Sequence, residues 1–175
     1  MHARFSAAIA LGLAASVAAA SEPARATLSV SEKVELATPP AKTWKAIKDY
    51  DGLHKWHPAF AGDDITKGKN NVKGAVRVLT LKDGGKITEE LLAYSAKDMS
   101  MTYQITDSPL PLTEYVATIQ VAAAGKNGGS VITWSSTFKG KDAVPKEGTD
   151  DASLKKMVSG LYISGFDNLK AMLAK

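Results

Sequence analysis

The chain has 175 residues, a formal net charge of +4 and no cysteine. Without thiols it forms no disulfide, thiolate metal site, cysteine nucleophile or covalent c-type haem attachment. Its 22 basic and 18 acidic residues are interspersed and form no long block of one sign, which argues against nucleic acid as a partner.

The first 26 residues read as a secretory signal peptide. Arg4 supplies the positive start, Phe5 to Ala20 is uncharged and rich in Ala and Leu, and small residues precede both Ser21 and Thr27. The apolar run of about 16 residues is short of the roughly 20 that span a bilayer. Cleavage is therefore expected after Ala20 or Ala26, leaving one domain over 27–175 with no membrane span. A cysteine-free protein exported behind such a leader suits a bacterial periplasm.

Leu28, Val30, Val34 and Leu36 alternate with polar residues, so a first strand is predicted there. Thr38-Pro39-Pro40 opens a short helix over Ala41 to Asp49, with Trp44 and Ile47 on one face. Tyr50-Asp51-Gly52 is expected to break it. Leu53 to Phe60 reads as a second short helical piece, and Ala61 to Lys73 as a polar loop.

Five strands follow. Gly74 to Leu81 and Lys86 to Ser95 form a hairpin about the Asp83-Gly84 turn. Met99 to Thr106 places Met101, Tyr103 and Ile105 together. After the proline loop Ser108 to Leu112, Thr113 to Ala123 aligns Tyr115, Ala117, Ile119 and Val121. Past a turn at Gly125 to Gly129, Ser130 to Lys139 aligns Ile132, Trp134, Ser136 and Phe138. The chain closes with one long amphipathic helix from Gly148 onward, its apolar residues spaced at three and four.

The order is strand, two short helices, five strands and a long helix. The fold class is α+β. A curved antiparallel sheet of about six to seven strands wraps on the carboxy-terminal helix, with a cavity between them. With Pro39 to Trp44, Asp49 to Pro58, Gly74 to Arg77, Glu89 to Leu91, Ser108 to Pro111 and Tyr162 to Leu169, the chain resembles the START/polyketide-cyclase-like (SRPBCC) superfamily. That superfamily includes the birch-pollen allergen and the plant abscisic-acid receptors. Within it the chain is similar to the small periplasmic MxaD group. The resemblance implies a helix-grip fold, a hydrophobic cavity and an apolar ligand; no cofactor is expected. For the MxaD group it implies an accessory role beside a periplasmic dehydrogenase, such as methanol dehydrogenase, and its cytochrome.

No catalytic signature is present: there is no nucleophile elbow, phosphate loop or dinucleotide fingerprint. A binding or accessory role is favoured over a cyclase or dehydratase acting in the cavity. Trp56, His57 and Phe60 are expected to wall the cavity mouth. His54 and His57, three residues apart, have metal-ligand spacing but no third partner, so no metal site is expected. Arg77 and Glu90 share strand parity with apolar neighbours. Either they orient a ligand's polar head inside, or they form an exposed ion pair across two strands. Leu110 is held between two prolines at an end of the cavity. Tyr94, Tyr103, Tyr115, Trp134, Phe138, Met157, Leu161 and Tyr162 complete the candidate lining. Glu89, Glu90, His57 and the tyrosines are the groups available for acid–base work.

Overall fold

The computed structural model describes residues 25–125 and 128–175. The expected leader lies outside the described residues up to position 24, as do positions 126 and 127 of the last turn. The elements are β1 (Leu28–Leu36), α1 (Pro40–Ile47), a 3-10 turn (Tyr50–Lys55), β2 (Phe60–Lys67), β3 (Val76–Leu81), β4 (Lys86–Ser95), β5 (Ser100–Asp107), β6 (Leu112–Ala124), β7 (Gly129–Gly140) and α2 (Asp151–Leu173).

All seven strands form one antiparallel sheet in the order β1-β7-β6-β5-β4-β3-β2. The hairpin connections place β2 to β7 side by side, and β1 closes against β7 from Leu28 opposite Phe138 to Leu36 opposite Ser130. Register shifts interrupt β2, β4 and β6, and such bulges bend a sheet and increase its twist. The concave face carries the inward residues of the alternating patterns: Met101 and Tyr103, Tyr115, Ala117, Ile119 and Val121, and Ile132, Trp134 and Phe138 are all buried.

Two segments differ from the sequence expectation. Residues 60–67 form the edge strand β2, where a polar loop is expected. The inward positions of β2 are Phe60 and the carboxylate Asp63, so the strand carries a buried acid where an apolar residue would have marked its period. The second helical piece sits earlier than expected, over Tyr50–Lys55, and Tyr50-Asp51-Gly52 belongs to it. Its first amides are taken by loop side chains: Asn71 Oδ1 accepts from Tyr50 N (2.8 Å) and Asn70 Oδ1 from Asp51 N (3.1 Å). These partners satisfy the donors that a helix start leaves open.

Helix α2 starts at an Asp150 cap, whose Oδ1 accepts from Ser153 N at 3.0 Å. Leu154, Val158, Tyr162, Phe166 and Leu169 face the sheet and are buried. Tyr162 stacks on Trp134 of β7, with ring centroids 4.3 Å apart and planes 12° from parallel. The other long side of α2 is fixed by the segment after the 3-10 turn. His57 Nε2 lies 2.9 Å from the Leu161 carbonyl, and Asn168 Nδ2 donates to the Trp56 carbonyl at 2.9 Å.

Gly165 makes this approach possible. A Cβ there would stand 2.6 Å from His57 Cδ2 and 3.1 Å from Trp56 Cζ3. The close approach is thus to the Trp56–His57 segment rather than to the sheet. Gly165→Ala is expected to lower stability by about 1–3 kcal/mol through overpacking, although alanine is the better helix former. Urea unfolding of the variant measures the sign: a more stable G165A protein contradicts the packing.

Candidate functional site

Packing between α2 and strands β3 to β6 stops short and leaves a cavity of about 320 Å³. That volume lies near the lower end of the range for small-molecule sites. The floor is made by buried side chains, among them Leu53, Phe60, Ile87, Glu89, Tyr103, Leu112, Tyr115, Trp134 and Val158. Leu81, Ile105, Leu110, Met157, Leu161 and Ser164 line it while keeping part of their surface in solvent, and Gly160 is exposed. These positions mark the mouth, between the hairpin β3–β4, the proline loop and the middle of α2. A Cβ at Gly160 would meet no atom within 4 Å, so the helix leaves open space there.

The floor holds one charged residue, Glu89. It faces Arg77 across the β3–β4 ladder, and both are buried. Arg77 Nε donates to Glu89 Oε2 at 2.8 Å and Nη2 approaches the same oxygen at 2.6 Å. Nη1 donates to the Tyr50 carbonyl and lies 3.4 Å from Asp63 Oδ2. The guanidinium carbon lies 4.1 Å from the Tyr50 ring centre and 5.2 Å from that of Tyr103. Burial opposes the Arg77 charge, but Glu89 and Asp63 together outweigh it and keep the group protonated. Burial pushes the Glu89 and Asp63 carboxyls above the usual carboxylate range, with Arg77 opposing. Two acids on one guanidinium leave one of them uncompensated.

The phenols on the floor stay protonated. Burial raises Tyr103 and Tyr115 well above an ordinary tyrosine. Tyr103 Oη accepts the Trp134 indole proton at 2.9 Å, and the Tyr115 hydroxyl bonds that of Tyr162. The site is a pocket with one buried acid and two neutral phenols on its floor.

A family model described as polyketide cyclase/dehydrase and lipid transport matches residues 27–174. The chain belongs to this polyketide cyclase/dehydrase and lipid-transport family. Among solved structures it is similar to a Bacillus cereus protein named XoxI, at 28% identity over 83% of this chain and 94% of that one, with a TM-score of 0.74. A Bacillus thuringiensis protein is likewise 28% identical, over 84% and 99% of the two chains, with a TM-score of 0.73. The protein Ara h 8.0201 shares the fold at a TM-score of 0.63 and 24% identity, over 83% and 99%. Membership in the family and the helix-grip architecture agree with the resemblance read from the sequence.

Of the residues expected to line it, Phe60, Tyr103, Leu110, Tyr115, Trp134, Met157 and Leu161 border the cavity. The other candidates lie elsewhere. Tyr162 and Phe138 are fully buried behind the floor, packed on Trp134 and Tyr115 respectively. Trp56 and Arg77 border a separate crevice of only about 10 Å³. Glu90 lies on the convex face, where Gln104 Nε2 donates to it at 3.0 Å, because Ile87, Glu89 and Leu91 hold the inward parity of β4. The partner of Arg77 is therefore Glu89, and the pair is buried. A bulge between Leu91 and Ala93 then shifts the register, and Tyr94 packs on Trp44, with ring centres 5.8 Å apart. Of the lining residues not expected there from the sequence, Glu89 had a readable signal: its parity matches Ile87 and Leu91.

His57 is a bridge outside the cavity. Its Nδ1 accepts from Ala59 N at 3.2 Å, so Nε2 carries the proton donated to Leu161 O. Both ring nitrogens are engaged by backbone. Burial lowers its pKa from 6.5 to about 4, with the backbone bonds opposing. The folded chain thus binds the His57 proton less readily than the unfolded chain. Its contribution to stability is complete above the unfolded value and is lost as pH falls from about 6.5 towards 4, at up to about 1.4 kcal/mol per pH unit. Glu89 and Asp63 act in the opposite sense, since their raised values let the native state take up protons first. Comparison of the wild type with His57→Gln isolates the histidine. Urea unfolding between pH 7 and pH 4 is expected to show a stability gap that narrows on acidification, and a constant gap contradicts a neutral His57.

Proposed function

We propose that this protein is a non-catalytic carrier that holds one apolar small molecule in the cavity beneath α2. The observation that carries the reading is the cavity itself. It is large enough for a small ligand, lined mostly by Leu, Ile, Val, Met and aromatic side chains, and open at one side of the helix. The two 28%-identical structures and the lipid-transport description of the family support a ligand-binding domain. Catalysis on the ligand has less support. Glu89 is the lone ionisable acid on the floor, Arg77 occupies one of its oxygens, and both histidine nitrogens at position 57 are engaged elsewhere.

The uncharged fluorophore N-phenyl-1-naphthylamine tests the carrier reading. Fluorescence enhancement that saturates at one probe per chain is expected. Gly160→Leu places a side chain in the open space at the mouth, so probe binding is expected to fall by about tenfold or more as contact area and access are lost. The same change is expected to stabilise the helix by up to about 1 kcal/mol, because glycine is the poorer helix former. Undiminished binding by a folded G160L protein would remove the cavity from consideration.

The carrier is further proposed to act in the periplasm, beside a dehydrogenase such as methanol dehydrogenase and its cytochrome. The leader-like first 26 residues and the mild positive charge support this. Of the two processing sites, the one after Ala20 retains Arg25. The Arg25 guanidinium donates to the Thr149 carbonyl at 3.0 Å and pairs with Asp151 at the start of α2. Amino-terminal sequencing of the protein from its native host is expected to begin at Ser21. A sequence beginning at Met1 contradicts export with cleavage, and one beginning at Thr27 contradicts the role given to Arg25.

A further inference from the structure

Resting on the carrier reading, the structure points to the kind of polar group its ligand carries. Glu89 is the one charged residue among those lining the cavity. Its countercharge, Arg77, is not among them: the guanidinium lies behind the carboxylate and binds Oε2. Among the described residues nothing donates to Glu89 Oε1. Asp63 also draws on Arg77, so the cluster carries one net negative charge when both acids are ionised. Glu89 Oε1 thus opens on the cavity, and a ligand that displaces water from it must offer a donor in its place.

We propose that the cavity selects apolar molecules whose polar end donates a hydrogen bond, an alcohol, phenol or amine, and discriminates against apolar carboxylates. The donor goes to Glu89 Oε1, and the hydrocarbon lies along Phe60, Ile87 and Leu161. The Tyr103 hydroxyl already accepts from Trp134, which leaves its own proton for an oxygen on the ligand head. A ligand carboxylate would instead set a third anion beside Glu89 and Asp63, with no further cation in the lining. The preference opposes the sign of the whole molecule. The mild positive net charge would by itself favour anions, so selection for amines must come from the cavity.

Displacement of N-phenyl-1-naphthylamine by 1-octanol, octylamine and octanoate at pH 7, each below its aggregation concentration, tests this. The three probes share one chain length and differ in the head. Octanol and octylamine are expected to displace the reporter at concentrations lower than octanoate by about tenfold or more. In Glu89→Gln, which keeps the shape and removes the charge, the gap between octylamine and octanoate is expected to close by about tenfold. Octanoate binding as tightly as octanol to the wild type overturns the selectivity and leaves the carrier standing. A reporter that binds and is displaced by none of the three overturns the selectivity equally. A reporter that fails to bind ends both. The wild-type series decides the matter even if the Glu89 variant does not fold.

Discussion

The Arg77 cluster is the constraint on which the rest of the structure depends. One buried guanidinium joins β3 to β4 through Glu89, to the edge strand β2 through Asp63, and to the 3-10 turn through the Tyr50 carbonyl and ring. A buried ion pair adds little net stability over apolar packing, but removing one partner strands the others at a cost of about 3–5 kcal/mol. The cluster therefore acts mainly by specifying the arrangement. Strand β2, which has little apolar alternation of its own, is held at its place by a charge. The 3-10 turn is held over the same end of the sheet, and through His57 and Asn168 it sets the position of α2.

The cavity follows from that arrangement. Trp134 and Tyr162 stack tightly near the middle of the sheet, and α2 is pinned along one side by the Trp56–His57 segment over Gly165. Towards the hairpin β3–β4 and the proline loop, the helix presents Met157, Gly160 and Leu161, which do not fill the space above Ile87 and Leu112. The two glycines of α2 thus have opposite roles. Gly165 admits a close neighbour, and Gly160 leaves a gap. The same electrostatic cluster that orders the sheet gives the gap its one acid.

Much of the fold was legible because its strands are half-buried: β1 and β3 to β7 show period two, and the apolar stripe of α2 shows steps of three and four. Strand β2 was not legible, because Asp63 occupies an inward position and a buried carboxylate reads as solvent-exposed until its cation is known. The 3-10 turn was displaced in the reading because side chains about twenty residues away, Asn70 and Asn71, cap it. At the site, the aromatic lining was readable as apolar but not as cavity rather than core. Phe138 and Tyr162 are solid packing while Tyr103 and Tyr115 border open space, a distinction made by packing in three dimensions. Glu89 shares its parity with Ile87 and Leu91, but Glu90 shares its own with Leu92 and Tyr94, so the inward acid is singled out only by the fold.

Xenon tests the central claim most directly, because it enters apolar cavities and has no chemistry of its own. Diffraction from crystals of the wild-type protein under xenon pressure should show a bound atom among Phe60, Ile87, Tyr115 and Leu161. A solidly filled interior at that position, with no xenon beneath α2, would contradict the account.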